Sequence, residues 1–473
     1  MHNYGHWKKT LALLVMSALS LGASSVDAMP EGGVIRSGEG AVSQNGREMT
    51  IRQDSGRLAM DWTNFNVGKD ETVRFQQPGK DALALNRVTG NQQSVIDGSL
   101  LSNGHVLLVN PNGVVIGKNA SIDVGGLVAS TAHVKDNFMK EFGNSTGSFN
   151  LGGVSDGKII NEGTINAEGG LVVLHAAKVE NSGTIKSNGG SVLMAAADTL
   201  TLTPDTDGKL NFTVDGKVAE ASALNKGAIT ADGGTIVMTA DSASDVMSTV
   251  VNNEGTLQAR TLRKNEKGQI LLEGNDKGQI DVSGTLDASG TENGQDAGNI
   301  KVIGQKTIVH DGTNLLAKGD VNGGKIETSG DVLDLGDNLN INDCLFEIRA
   351  DNGYYDWNND LLDDDMISYR PYHLEKVEDV GIVVEMNTMR LLEHKKVYLT
   401  LTRKSDGKEL MKIDLIPYLL LTKMEGHNIP AQEYLDRQSE YAIVFFYNPE
   451  LLNFLSTKIV INGWTIWLKG EDL

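Results

Sequence analysis

The chain holds a single cysteine, Cys344, in 473 residues. One thiol excludes an intrachain disulfide, so stability has to come from burial and backbone hydrogen bonding. Basic charge is also in deficit. Lys and Arg number 42 against 62 Asp and Glu, a net charge of -20 spread along the chain. That balance argues against a nucleic-acid partner, because phosphate binding needs basic patches. It favours solubility and identifies no ligand. Long hydrophobic runs are confined to Leu11–Leu21, too short to favour a membrane span. With Lys8 and Lys9 before it and Val26-Asp27-Ala28 after it, this run is expected to be a secretory signal cut after Ala28. No cysteine follows Ala28 at a lipoprotein attachment position.

Glycine, by contrast, is abundant: most of the 54 lie before Gly336. From Ile160 a phrase recurs, INEGTINAEGGLVVLHA, ENSGTIKSNGGSVLMAA and LNKGAITADGGTIVMTA, with looser copies such as NNEGTLQA and VSGTLDASG. The spacing of about 20 to 45 residues is that of repeat architectures. Each copy has a short strand, a Gly-Gly or Asp-Gly corner and a second apolar strand. In GGTIVMTA, Ile236 and Met238 share one face, and Thr235, Val237 and Thr239 the other. Such a unit cannot bury its apolar face alone but can when stacked on its neighbours, which predicts a right-handed parallel β-helix. Ala176, Ala177 and Ala195 to Ala197 suit a narrow interior. Asn161, Asn181 and Asn225, each just before a glycine step, suit corners where the side chain satisfies local backbone groups. A β-sandwich with glycine-rich turns is the alternative.

The stretch VLLVNPNGVVI sets a tight corner between two buried strands. Asn110 suits the first turn position, Pro111 presets the second and Gly113 closes it. Residues from Gly32 to about Thr131 include QPGKDALALNRVTG and QSVIDGSLLSNGHVLLVNPNGVVIGKNASIDVGGLVAST. In order and spacing this segment resembles the secretion domain of two-partner secretion exoproteins of the filamentous haemagglutinin type. The resemblance implies a β-helix capped at its N-terminal end and a dedicated outer-membrane barrel transporter as partner. It also implies that Asn110, Pro111, Asn112 and Gly113, with Asn86 and Arg87 as weaker candidates, belong to the signal the transporter reads. The flanking strands would offer an edge for strand addition. Ordinary turn chemistry is the competing role for Asn110 and Asn112.

After Ile341 the composition changes. Most tyrosines, and Trp357, Trp464 and Trp467, lie there. VYLTLTRKSDGKELMKIDLI is expected to form a hairpin at Asp406-Gly407, KIVINGWTIWLKG another at Asn462-Gly463, and YAIVFFY a buried strand. LLLTKMEGH and EYLDRQSEY resemble the C-terminal domain of FimB-type fimbrial anchor subunits, cell-surface proteins built from transthyretin-like sandwiches. The expected fold is therefore all-β: a right-handed parallel β-helix followed by a transthyretin-like β-sandwich domain. The expected divisions are a signal peptide at 1–28, a secretion domain at 29–150, β-helix repeats at 151–336 and the sandwich at 341–473.

Catalytic candidates are sparse. Glu425 and His427 match no zincin spacing, nor do His373 and His394, and Asp363 to Asp365 lack the alternating oxygen ligands of a calcium loop. Asp232, Asp241, Asp281 and Asp287 could supply acids for a β-helical polysaccharide lyase or hydrolase, but do not cluster at coil spacing. VENS at Val179–Ser182 falls inside a repeat rather than at a toxin junction. The expectation is a secreted or surface-exposed, adhesin-like protein reached via the periplasm, binding host or bacterial surface receptors, with fimbrial subunits as further partners. No enzyme activity, cofactor or metal is expected. The alternatives are a carbohydrate-active enzyme and a fimbrial assembly or anchor protein.

Overall fold

Three short strands and three corners make one turn of the chain. The clearest example runs Lys158–Asn161, Thr164–Asn166 and Leu171–His175. The next turn repeats it as Lys178–Asn181, Thr184–Lys186 and Ser191–Ala196. Every strand pairs in parallel with its counterpart one turn on: Ile159 with Val179, Ile165 with Ile185, Val172 with Val192. The computed structural model describes residues 29–335 apart from 207–208, 244–247, 264–265, 275–277, 291, 293 and 321–322. Beyond them it describes the backbone of separate strands only. Within these residues the rung-on-rung ladder is a parallel β-helix, and the sandwich alternative for the repeats is ruled out.

The register puts like on like. One row reads Ile165, Ile185, Ile229, Leu257, Leu286 and Leu315, in successive parallel pairs. Another reads Val172, Val192, Ile236, Ile270, Ile300 and Ile326. All are at most 1 % exposed, and each such side chain contributes on the order of 2 kcal/mol through burial. The double glycine has two separate causes. Gly189 and Gly233 adopt φ of 71° and 73°, which favours glycine. The glycine after each admits no side chain: a Cβ on Gly190 would sit 1.9 Å from the Gly170 carbonyl oxygen, and one on Gly234 1.8 Å from that of Gly190.

Of the three ladders, that through Leu171–His175 (the first), that through Lys158–Asn161 (the second) and that through Thr164–Asn166 (the third), the first is covered on both sides. Its inward residues join the coil interior, while Leu107, Val128, Val173 and Leu193 point outward into a second apolar cluster. That cluster is closed by the helix Asp136–Phe142 and by a three-stranded antiparallel sheet, Phe149–Leu151, Thr199–Pro204 and Leu210–Asp215. Burial on both faces explains the unbroken apolar runs VLLV and LVVL. It also corrects one expectation. Ala176 and Ala196 line the coil interior, but Ala195 belongs to the outer cluster and Ala177 is only half-buried. Alternation along a strand sends neighbours to opposite faces.

At the N-terminal end, Gly40–Asn45 pairs antiparallel with Glu48–Gln53, covering the edge of the third ladder. At the other end, the long strand Lys325–Leu335 continues two ladders, pairing first with Asn299–Ile303 and then with Lys306–Val309. The two expected C-terminal hairpins are present as backbone pairings, Tyr398–Arg403 with Glu409–Asp414 and Ile459–Ile461 with Trp464–Ile466. The signal segment, Cys344, Asp363 to Asp365, His394, Glu425, His427 and YAIVFFY lie outside the described residues, as does the side chain of His373.

Candidate functional site

The Asn110-Pro111-Asn112-Gly113 corner joins His105–Val109 on the first ladder to Val114–Ile116 on the second. The Gly113 N–H donates to the Asn110 carbonyl at 3.0 Å, closing the turn. The Asn110 side chain is fully buried. Its Oδ1 accepts from the Asn112 N–H at 2.9 Å and from Asn112 Nδ2 at 3.0 Å. Its Nδ2 donates to the Gln92 carbonyl and to Ser94 Oγ, both at 3.0 Å. Asn112, exposed, also donates to the Gly90 carbonyl at 3.0 Å. The corner is thus stitched back onto residues 90–94. It is stitched forward as well: the Ser155 hydroxyl donates to the Pro111 carbonyl. Gly113 has φ of 109°, and a Cβ there would lie 2.7 Å from the Lys158 carbonyl oxygen. Any other residue strains the backbone and collides with the next coil.

Asn86 and Arg87 sit on Leu83–Val88, one coil earlier. Asn86 is fully buried and faces inward. It accepts from the Trp62 indole N–H at 2.9 Å and donates to the Ala84 and Leu107 carbonyls at 3.1 and 3.3 Å. Arg87 faces outward. Its guanidinium grips both oxygens of Asp61 at 2.7 and 2.8 Å, the Val134 carbonyl at 2.8 Å and Asp136 at 2.8 Å. The hydrogen bonds it donates to Asp61 raise its pKa above the usual guanidinium value, against the cost of burial. Arg87 therefore fastens the first ladder to the start of the covering helix. The six motif residues do not converge on one pocket. Both strands beside the corner are paired on both edges: His105–Val109 with Leu83–Val88 and Gly126–Ser130, Val114–Ile116 with Ser94–Ile96 and Lys158–Asn161. A free edge for strand addition exists there only before the neighbouring coils close.

Two polar arrangements were not anticipated from the sequence. The corner asparagines stack inside the coil. Asn161 Nδ2 donates to Asn181 Oδ1 at 2.7 Å, Asn181 to Asn225 at 2.7 Å, and Asn225 to Asn253 at 2.8 Å, all fully buried. They do meet local backbone, as Asn161 Oδ1 accepts from the Gly163 N–H at 3.2 Å, but their main partners are one another. Asn253, missed in the looser copy NNEGT, was detectable from the same N-x-G spelling. The second arrangement is Ser130, His175 and the Ala197 carbonyl, which no motif marks. The acidic candidates stay apart. Asp232 is held by Gln258 and Arg260, Asp281 accepts from Gln279, and Asp287 accepts from the Ser289 N–H. Asp241 follows a first-ladder strand, its N–H bound to the Ala196 carbonyl. Among the described residues no three His, Cys, Asp or Glu gather to hold a metal, and no helix is long and apolar enough to cross a membrane.

Residues 27–302 match the family described as the TPS (two-partner secretion) secretion domain. Residues 318–470 match the fimbrillin-A associated anchor proteins Mfa1 and Mfa2. A heme/hemopexin-binding protein of Haemophilus influenzae is 31% identical over 268 residues, 56% of this chain and 26% of the relative. A second protein of that description and organism is 48% identical over 84 residues, 18% of this chain and 9% of the relative. The chain thus spans about a quarter or less of these curated relatives. The crystal structure of the HMW1 secretion domain from Haemophilus influenzae superposes with a TM-score of 0.55 at 25% identity, covering 73% of this chain and all of that one.

Proposed function

The chain belongs to the TPS secretion domain family, exoproteins exported via the periplasm through an outer-membrane transporter, and from that premise we propose that its coil carries a C-terminal surface module outward to act as an adhesin. The stacked coils are export module and rigid spacer at once. The region matching the fimbrial anchor proteins is the presented end, and its contacts are host or bacterial surface proteins or glycans. The division near 336–341 is part of this proposal.

The carrying observation is the corner at Asn110. Its motif side chain is fully buried and its strands are paired on both edges, so a transporter that reads Asn110, Pro111, Asn112 and Gly113, with Asn86 and Arg87, reads them in the unfolded chain. No disulfide needs to form, and coils can close one after another as they emerge. Folding outside then biases movement outward. The expected result is that Asn110→Ala with Asn112→Ala leaves the protein in the periplasm of cells carrying its transporter. Ser155→Ala loosens the same corner without touching the motif and should still reach the surface. Normal delivery of the double variant overturns the signal role; equal retention of both variants reduces the corner to a folding element.

One relative-based reading names a narrower receptor. The heme/hemopexin-binding relatives favour hemopexin as the receptor over a glycan. Capture of hemopexin by the exported chain supports it. Capture of other surface proteins supports the broader adhesin, and turnover of host or bacterial polysaccharides would overturn both in favour of an enzyme.

A further inference from the structure

Two segments leave the coil from its first ladder. One departs after Gly126–Ser130, forms the helix Asp136–Phe142 and the strand Phe149–Leu151, and returns at Lys158. The other departs after Ser191–Ala196, forms Thr199–Pro204 and Leu210–Asp215, and returns at Ser222. They knit into the outer sheet where Phe149 pairs with Leu202 and Leu151 with Leu200. On the coil between their points of departure lies Leu171–His175, with His175 in register between Ser130 and Ala195.

The His175 ring is fully buried. Nε2 lies 3.0 Å from the Ala197 carbonyl and Nδ1 lies 2.9 Å from Ser130 Oγ. A carbonyl only accepts, so Nε2 carries the hydrogen and Nδ1 accepts from the Ser130 hydroxyl. Ser130 Oγ in turn accepts from the Ala132 N–H at 3.1 Å. One chain of hydrogen bonds therefore runs from the root of the first segment, through the ring, to the root of the second. A proton added at Nδ1 meets the Ser130 hydroxyl hydrogen, and the new charge is buried. Among the described residues, the one charged group acting on the ring is Asp198, at the root of the second segment. The adjacent ladder strands present Ser130 and Ala195 in register, both uncharged. Alternation with the inward Leu174 turns the ring outward with Val173, to the side of the outer cluster, whose members Val173, Leu193, Ala195, Leu200 and Leu202 do not titrate.

We propose that Ser130, His175 and the Ala197 carbonyl form an acid-released clasp holding the outer sheet on the coil, so that in acid the sheet lifts while the coils stay stacked. Burial drives the imidazole down to about 4, partly offset by the Ala197 carbonyl and Asp198. The closed clasp thus binds fewer protons than the open one. Its stability is complete above the ordinary histidine value of 6.5 and is lost as pH falls from there toward about 4. Lifting bares Leu107, Val128, Val173 and Leu193, an apolar face.

The test is amide hydrogen exchange on the full chain, corrected for intrinsic rates. Between pH 6.5 and 4.5, opening at Thr199–Asp215 should rise about fortyfold, the ratio set by histidine values of 6.5 open and about 4 closed. The interior coil strands Thr164–Asn166 and Thr184–Lys186 should not follow. In His175→Gln the pH dependence should vanish. A rise shared equally by the coil strands, or a Gln variant with unchanged pH dependence, overturns the clasp. In the unaltered chain, C2-hydrogen exchange should be much slower at His175 than at the exposed His133 and His310; equal rates overturn it too.

Discussion

The leading coils and the repeated coils stack on the same ladders but handle buried polar groups differently. In the repeats, one position on the second ladder carries asparagine four times, and each amide answers the next. In the leading coils that position is Ile96 and then Ile116, which is in register with Asn161. Buried polarity there is spread over arrangements used once: Trp62 with Asn86, Gln53 with Gln77 at 2.9 Å, Asp61 with Arg87, and Asn110 with Ser94. The repeated device is indifferent to which coil carries it. The single-use devices fix each segment to one place, which is what a region with a specific start and a specific corner requires.

The largest effect should come from interrupting the repeated device at its middle. Asn181→Leu strands the Asn161 donor and the Asn225 acceptor in the interior and should cost about 4 kcal/mol, measured as a drop in the urea midpoint followed by circular dichroism. Asp61→Asn strips Arg87, 11% exposed, of its main counter-charge. A loss of about 3 kcal/mol is expected, with amide protection falling first in the helix Asp136–Phe142. Asn253→Val cuts the ladder at its last member and imitates Val282, its partner in register; about 2 kcal/mol should be lost. If it costs as much as Asn181→Leu, the amides act as separate groups and not as a chain. The smallest change is Lys226→Ala, whose pairing with Glu180 at 3.7 Å is solvent-exposed. Its effect on the midpoint should stay within about 0.5 kcal/mol.

The coil was legible because each repeat states its own geometry. Gly-Gly marks a corner, Ile236 and Met238 alternate with Val237, and the phrase returns within a coil's length of chain. The outer sheet was not legible. TLTLTP carries no sign that Thr199–Pro204 pairs with Phe149–Leu151, about fifty residues upstream, since pairing at that distance depends on where two departures leave the coil. The inserted hairpin also stretches the spacing from Asn181 to Asn225 to 44 residues, against 20 for Asn161 to Asn181. Small size suits Ala195 to the interior, but its parity relative to the inward Ala196 turns it outward. Asn110 was identified as a turn residue from its neighbours, but its complete burial comes from Ser94 and Gln92, which no local pattern ties to it.

Asn253 ends its row by giving its second amide contact to the Gly255 carbonyl at 3.1 Å, in its own corner. Because Asn161, Asn181, Asn225 and Asn253 share one N-x-G junction, a gene that recombined at any two of these codons would lose or duplicate whole rungs and rejoin amide to amide. Length in this part of the molecule is therefore an adjustable quantity, open to change by unequal crossover with no new interior to invent.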